Sequence, residues 1–200
     1  KGCYLSKSLW SGNRPKTDAE AKMRIGEAAL ACIKRSGYSK TSMSDIAKET
    51  GIARPTLYKH YKNKDDIFFD ALDIVALTFT QSVVEHARKF ADFEQRVVES
   101  IIYVVTAFPA HPYLPLAFDT ECSTVLKGRV FSDDPSQIFS QMTAEPLIEV
   151  RPELTEKGAE ITEVMSRFAI SMIIFPGKYA SDHESLRDLI KRRVLPGLLQ

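Results

Sequence analysis

Apolar residues recur at every third or fourth position along most of the chain, which is the spacing of helices with one buried face. The first such segment covers residues 17–36. Thr17 and Glu20 have the spacing of a capping box at its start, and Gly37 can close its end in a left-handed turn. A helix is therefore predicted there. Its apolar positions are Ile25, Ala28, Ala29, Cys32 and Ile33.

Two shorter helices are predicted next. Ser42 and Asp45 repeat the capping-box spacing, and Gly51 ends that helix after about two turns. Pro55 then stands in the first turn of a third helix, where its missing N–H costs nothing. Two short helices joined by a tight turn around a glycine form a helix-turn-helix, whose second helix enters the major groove of DNA.

The charge distribution supports this interpretation. Residues 1–64 hold 14 Lys and Arg against 5 Asp and Glu, a net charge of +9, although the whole chain carries only +1. Residues 65–200 hold 13 against 21, a net charge of −8, and contain all 11 phenylalanines. Such an asymmetry indicates that the first part meets a polyanion and the second does not. A charged, merely solvated face is the alternative explanation.

The third helix can be oriented from its own sequence. Leu57 is expected to turn inward against Ile46 and Ala47, which leaves the remaining side chains facing outward. Arg and Lys there can donate to guanine edges, whereas Tyr58 and Lys64 suit phosphate contacts that carry no sequence information. The predicted DNA-contacting residues are Ser42, Met43, Ser44, Arg54, Pro55, Thr56, Tyr58, Lys59, His60, Tyr61 and Lys64.

The segment from about Ala21 to Leu72 resembles the tetracycline-repressor (TetR) family of bacterial transcriptional regulators. The resemblance rests on "GYSKTSMSDIAKETGIARPTLYKHYKNKDDIFFDAL". One departure is Ala53, where the family usually has a capping serine. Losing that cap costs about 1 kcal/mol, which Pro55 partly offsets. The resemblance implies a dimer that binds palindromic DNA and a second domain with a ligand cavity.

The rest of the chain holds no family motif and is interpreted from its pattern alone. No strand pattern or repeat is found. The predicted fold is all-α, with an N-terminal three-helix DNA-binding domain containing the helix-turn-helix joined to a larger helical ligand-binding and dimerisation domain. The predicted domains are a mobile basic tail (1–16), the DNA-binding domain (17–64) and the effector-binding and dimerisation domain (65–200). Further helices are predicted at 64–89, 93–108, 116–126, 135–149, 153–175 and 182–196.

A small apolar or amphipathic effector is expected to bind in the second domain. The segment "PAHPYLP" (109–115) must interrupt a helix, because its prolines cannot donate and leave carbonyls free. His111, Asp119 or Glu121 is expected to anchor one polar end of the ligand. For each aromatic or methionine residue, a place in the plain core is the alternative. The predicted effector-binding residues are Phe79, Tyr103, Phe108, His111, Tyr113, Phe118, Phe139, Met142, Met165, Phe168 and Met172.

The last two long helices are predicted to form a homodimer interface. "ITEVMSRFAISMIIF" is apolar nearly all round, so it must be covered on two sides. The alternative is that both apolar stripes belong to the core of one chain. The predicted interface residues are Ile161, Ile170, Ile173, Ile174, Leu186, Leu189, Ile190 and Val194.

Little in the sequence indicates other chemistry. The cysteines Cys3, Cys32 and Cys122 form no C-x-x-C pair, so neither a disulfide framework nor a zinc site is expected, and no cofactor or metal is predicted. No apolar run reaches about 18 residues, and no signal peptide is recognised, so a cytoplasmic location is expected. A ligand-responsive repressor that is not an enzyme is the favoured function. A constitutive DNA-binding protein is the alternative, and an enzyme using the His111 region is a remote one.

Overall fold

The computed structural model describes residue 10 and residues 15–126, 135–180 and 182–198, without the side chains at 124–126 and 135–139. These described residues are helical and contain no strand, which confirms the all-α prediction. Most of the predicted basic tail, at 1–9 and 11–14, lies outside them. The helices are α1 Asp18–Ser36, α2 Met43–Thr50, α3 Arg54–His60, α4 Lys64–Ala87, α5 Phe93–Ala110, α6 Thr120–Leu126, α7 Pro135–Ile148, α8 Gly158–Ile174, α9 His183–Leu189 and α10 Leu195–Leu198.

Three irregular stretches connect these helices. Leu114–Phe118 and Pro152–Lys157 are 3₁₀ turns, and Ile190–Val194 is a π-helical turn that joins α9 to α10. The predicted break in "PAHPYLP" is confirmed, because α5 ends at Ala110 and the next helical turn starts at Leu114.

The helix ends follow the predicted capping pattern in part. At the start of α1 the Glu20 carboxylate accepts from the Lys16 amide rather than that of Thr17, and Gly37 ends α1 at φ 88° and ψ 156°, outside the left-handed helical region. The Thr17 hydroxyl accepts from the Glu20 amide at 3.1 Å at the start of α1. At the start of α2, the Ser42 hydroxyl accepts from the Asp45 amide while the Asp45 carboxylate accepts from the Ser42 amide, which is a complete capping box. Gly51 ends α2 at φ 74°, in the left-handed region that only glycine adopts without strain.

The N-terminal helices close over a small apolar core. Leu57 of α3 is fully buried against the Ile46 and Ala47 region of α2, as predicted, together with Ile25 of α1. Trp10 is also buried in this core, and its amide donates to the Gly51 carbonyl at 3.0 Å. These contacts fix α3 on α1 and α2.

The chain divides into two compact units. The first contains residues 1–75 and 116–127, and the second contains residues 76–115 and 128–200. The division falls within α4 rather than at residue 64, and α6 belongs to the first unit. The functional domain boundaries at 16 and 64 remain predictions.

The core of the second unit is built from α5, α8 and the C-terminal helices. Val97 and Ile101 of α5 are buried against α8 and α9. The prediction that three residues belong to the dimer interface is wrong in this structure. Ile161, Leu186 and Ile190 lie in the core of their own chain and are only 3%, 0% and 0% exposed. Their side chains have no surface left for a partner, so the alternative explanation holds for these three.

Among the described helices, α4 alone is long and apolar enough to cross a membrane by length and composition. Its apolar residues have another explanation. Ile67 and Phe68 are fully buried in the first unit, and Val83, Val84 and Ala87 are buried in the second. Packing within the protein therefore accounts for much of the composition of α4.

Candidate nucleic-acid interface and candidate effector site

Helix α3 presents a cationic surface away from its buried Leu57. Arg54, Tyr58 and Lys59 are all exposed, and Tyr58 retains 46% of its accessible surface. The Arg54 guanidinium lies 5.9 Å from the centre of the Tyr58 ring on the same helix. Ala53 makes no side-chain cap at the start of α3, because an alanine side chain has no hydrogen-bond acceptor. This surface offers two cations and one phenol to a polyanion.

Two residues predicted to contact DNA are instead used inside the protein. His60 is half-buried, and its Nδ1 lies 2.8 Å from a carboxylate oxygen of Asp18 in α1. Tyr61 is 6% exposed, and burial together with the nearby Asp70 raises the pKa of its hydroxyl. Because its ring belongs to the core, Tyr61 is better described as a packing residue than as a DNA contact.

Lys64, the predicted phosphate contact at the start of α4, also has partners in its own chain. Its Nζ donates to the carbonyls of Tyr38 at 2.7 Å and Thr41 at 3.0 Å, and lies 4.1 Å from the centre of the Tyr38 ring. The Tyr38 hydroxyl in turn donates to Asp65 at 2.5 Å. An ammonium group has three donors, so one remains for a phosphate.

The start of α2 is occupied by the capping box. The hydroxyl of Ser42 is 2.5 Å from Asp45 Oδ2, and Met43 packs on the first unit's core. Ser44 and Pro55 are exposed, and Thr56 is half-buried. Of these residues, Ser42, Ser44 and Pro55 have the surface that a DNA contact needs, although the Ser42 hydroxyl is used in the cap.

Helix α6 is attached to the loop between α1 and α2. The Glu121 carboxylate accepts from the Ser39 amide at 2.9 Å, and the Asp119 carboxylate accepts from the amides of Glu121 and Cys122. Both carboxylates predicted as ligand anchors therefore bind backbone amides of the first unit. Burial, reinforced by Asp119, raises the pKa of the Cys122 thiol to about 12, so it is no nucleophile at neutral pH.

Five of the predicted effector residues meet in the second unit. The Phe79 ring of α4 stacks on Tyr103 at a centroid distance of 6.0 Å, and faces Phe108 edge-on at 5.8 Å. His111 lies 6.3 Å from Phe79 and 6.4 Å from Tyr113. All five side chains are half-buried, unlike the residues of the core. We refer to Phe79, Tyr103, Phe108, His111 and Tyr113 as the aromatic cluster.

The other predicted effector residues lie elsewhere. Met165, Phe168 and Met172 of α8 pack into or against the second unit's core, so the prediction that they share one site with the aromatic cluster lacks support in these contacts. Phe118 belongs to the first unit. Met142 is half-buried on α7, and the side chain of Phe139 lies outside the described residues.

His111 serves as a loop-forming residue. Its Nδ1 accepts from the backbone amides of Tyr113 and Leu114, both at 3.2 Å. This ring nitrogen is thus committed to the turn after α5 and is not available as a general base. In the part of the chain that the structure describes, no group of three His, Cys, Asp or Glu residues is placed to hold a metal ion.

Sequence reasoning missed two polar residues beside the aromatic cluster. The His86 ring stacks on Tyr103 at 4.5 Å with 20° between the planes. Ser82 accepts from the Tyr103 hydroxyl at 3.1 Å. Their positions on α4 share a face with Phe79, and this spacing was the available signal.

The outer face of α8 is partly apolar. Val164, Ile174 and Phe175 are exposed, Phe175 by 76%. Beside it, a groove of about 280 Å³ runs between α8 and the C-terminal turns, lined by Val164, Phe168, Val194 and the charged Glu160 and Arg193 among others. Ile170, Ile173, Leu189 and Val194, also predicted for the interface, are half-buried.

Comparison with known proteins agrees with the N-terminal site. Residues 25–71 match the model of the bacterial regulatory proteins of the tetR family. The transcriptional regulator AcrR of Shigella flexneri is 29% identical over 83 residues, which are 42% of this chain and 39% of AcrR. The fatty acid metabolism regulator protein of Bacillus subtilis is 31% identical over 75 residues, 38% of this chain and 39% of that protein. Both matches span about two fifths of the relatives' length.

Solved structures extend the likeness in fold over most of the chain. The TetR-family repressor AlkX of Dietzia sp., implicated in biodegradation of n-alkanes, has a TM-score of 0.60 at 19% identity, covering 89% of this chain and 95% of AlkX. FadR of Bacillus subtilis, solved in complex with stearoyl-CoA, has a TM-score of 0.53 at 17% identity, covering 84% of this chain and 96% of FadR. The likeness to the bacterial regulatory proteins of the tetR family thus rests on residues 25–71, and the solved structures show a similar fold over most of the chain.

Proposed function

We propose that this protein is a cytoplasmic repressor that binds a palindromic operator as a homodimer and leaves it when a small apolar or amphipathic effector binds. The observation that carries the DNA-binding part is the division of α3, with Leu57 buried and Arg54, Tyr58 and Lys59 exposed. A helix that is packed on its domain through one buried apolar residue can present its cations to the major groove while its position in the domain stays fixed.

Selection of genomic fragments in vitro tests this function directly. The full chain should select a palindrome whose half-sites lie about one helical turn, roughly 34 Å, apart or a multiple of it. Arg54→Ala or Lys59→Ala should cost about 1–3 kcal/mol and relax preference at particular bases. Tyr58→Phe should weaken binding to all sequences alike. An unchanged motif in Arg54→Ala would show that α3 is oriented differently.

The proposed dimer uses the exposed face of α8 rather than the buried stripes. Val164, Ile174 and Phe175 are exposed apolar side chains on α8 and at its end, which we expect a second copy to cover. Val164→Glu should convert the dimer into a monomer in sedimentation at micromolar concentration. Met23→Glu is the matched control, because Met23 is similarly exposed but lies on α1. A monomeric wild-type protein would disprove the dimer.

The effector part rests on the half-buried aromatic cluster, because fully packed rings would leave no room for a ligand. AlkX and FadR are connected by their descriptions with alkanes and an acyl-CoA, which agrees with an apolar effector. A differential affinity of about 1–3 kcal/mol between the two states would weaken operator binding roughly 5- to 150-fold. A compound library measured by thermal shift and operator affinity tests this. A constitutive DNA-binding protein would respond to no compound.

A further inference from the structure

One face of α4 changes from apolar to polar along the aromatic cluster. Phe79, Ser82 and His86 follow one another at helical spacing, and all three are half-buried. The His86 ring lies flat on Tyr103 at 4.5 Å and meets the edge of Phe90 at 5.4 Å. No described residue forms a hydrogen bond with its ring nitrogens. The rings hold the imidazole in place but leave its polar atoms unused.

The neighbouring hydroxyl groups already use their donors in hydrogen bonds within the protein. The Tyr103 hydroxyl donates to Ser82 Oγ at 3.1 Å, and the Ser82 hydroxyl donates to the Phe79 carbonyl at 2.6 Å. The Tyr103 oxygen can therefore accept a hydrogen bond from a ligand, but the Tyr103 hydroxyl has no donor left for one. A neutral imidazole adds one N–H donor and one nitrogen acceptor.

Burial and the nearby charges together favour the neutral form of His86. Burial, helped by Lys89, lowers the pKa of the imidazole, and Glu99 opposes this shift. Glu99 itself is paired with Arg187 at 2.8 Å. A neutral ring with one donor beside two acceptors is poorly suited to a carboxylate, which presents acceptors only. A hydroxyl group, which donates and accepts, matches the available atoms.

We propose that His86 and Tyr103 form the polar end of the effector site and bind an uncharged hydroxyl group, as in an alcohol or phenol whose apolar body lies against Phe79 and Phe108. This inference rests on the proposed effector function and narrows it to one ligand class. The imidazole N–H donates to the ligand oxygen, and the ligand hydroxyl donates to the Tyr103 oxygen.

Calorimetric titration of the full chain with 1-octanol and with octanoate at neutral pH tests the ligand class without any variant. These probes share a chain length and differ only in the polar end. We expect 1-octanol to bind at least about tenfold more tightly than octanoate. Equal affinities, or tighter binding of octanoate, would overturn the inference.

Variants then locate the polar end. His86→Phe keeps an aromatic ring on Tyr103 but removes both nitrogens, and should weaken 1-octanol about tenfold while leaving octanoate nearly unchanged. Tyr103→Phe should weaken it by a smaller factor. His183→Phe is the matched control, because His183 lies outside the aromatic cluster and contacts Thr106. Unchanged 1-octanol affinity in a folded His86→Phe protein contradicts the assignment.

Failure here and failure of the proposed function can be told apart. If 1-octanol does not bind but a library compound shifts both melting and operator affinity, the hydroxyl assignment is wrong and the effector function stands. If neither 1-octanol nor any library compound binds, the hydroxyl assignment and the proposed effector function are both wrong.

Discussion

The two units of this protein use their polar side chains in different ways. In the first unit, polar groups hold the backbone: Asp45 caps α2, Lys64 binds two loop carbonyls and Glu121 binds a loop amide. In the second unit, apolar packing dominates the core, and the largely buried Arg96 forms an ion pair with the partly exposed Glu149. A surface site on a helix whose neighbours are capped within a few residues leaves a readable sequence pattern. A site formed among half-buried rings from distant segments does not.

The largest expected effect comes from the core that holds the recognition helix. Leu57→Ala should cost about 2–5 kcal/mol, because a fully buried side chain leaves a cavity. Trp10, the single tryptophan, is buried in the same core, so its fluorescence reports the unfolding of that unit. Denaturant titration should show a lowered fluorescence midpoint.

Ile101→Ala in the second unit is the counterpart. It should lower the free energy of unfolding by a similar amount. Because Ile101 is buried in the other core, the midpoint followed by circular dichroism should fall and the midpoint followed by Trp10 fluorescence should not. Met23→Ala, at an exposed position of α1, should change neither signal. If Ile101→Ala lowered the midpoint of Trp10 fluorescence as much as that of circular dichroism, the two units would unfold as one, and the comparison between them would lose its thermodynamic meaning.

Lys64 tests whether a predicted DNA contact is also a structural residue. Lys64→Met should destabilise the first unit by about 1.5–3 kcal/mol without DNA, because hydrogen bonds from a charged group to the Tyr38 and Thr41 carbonyls are lost. Trp10 fluorescence during denaturation measures this. Lys64→Ala should also weaken binding to all DNA sequences and reduce the salt slope by about one.

Lys62→Met is the matched control for stability, because Lys62 is exposed two positions before Lys64. It should leave the midpoint unchanged. A Lys64→Met protein as stable as the Lys62→Met protein would mean that the two carbonyl contacts contribute nothing, and that Lys64 acts on DNA alone.

Glu149 tests the polar contact of the second unit. Its carboxylate lies 2.6 Å from Arg88 and 2.9 Å from the largely buried Arg96, and the hydrogen bond from Arg88 is the main reason that its pKa is lowered from 4.5. A lowered pKa in the folded state means stability that is present above 4.5 and is lost as pH falls through the folded value. Glu149→Gln should cost about 1 kcal/mol at neutral pH, a modest amount because the carboxylate is partly exposed.

The acid dependence gives this prediction its control. Circular dichroism of thermal unfolding from neutral to acid pH should show a flatter decline for Glu149→Gln than for the wild type. Glu156→Gln, at an exposed position of the same unit, should reproduce the wild-type curve. Identical curves for Glu149→Gln and the wild type would mean that the ion pairs of Glu149 with Arg88 and Arg96 contribute nothing to stability.

The sequence predicted the elements well and the sites unevenly. Caps, glycine turns and prolines act within a few residues, so the bounds of α1 to α3 and the inward turn of Leu57 could be read directly. Ile161, Leu186 and Ile190 could not be assigned, because an apolar stripe looks the same whether it faces its own core or a second copy. The structural contacts of Lys64 and Glu121 could not be predicted for another reason: their partners, Tyr38 and Ser39, lie far away in the sequence.

The smallest expected effect concerns the contact between α6 and the loop after α1. Glu121→Ala removes the acceptor of the Ser39 amide, which is 2.9 Å from the carboxylate. Because Glu121 is exposed and water can replace it, the global free energy of unfolding should fall by only about 0.5 kcal/mol. Hydrogen exchange is the more sensitive measurement, and the Ser39 amide should exchange several times faster.

Glu121→Gln is the control, because its amide oxygen can still accept from Ser39 and should restore most of the protection. Restored protection of the Ser39 amide in Glu121→Gln would show that long-range side-chain contacts also fix the backbone of the first unit. If a single contact from α6 slows exchange in the loop that Lys64 also holds, then this loop is fixed by side chains from two distant parts of the sequence, α4 and α6. Equal exchange of Ser39 in Glu121→Ala and Glu121→Gln would mean that α6 does not hold the loop, and that Lys64 alone fixes it.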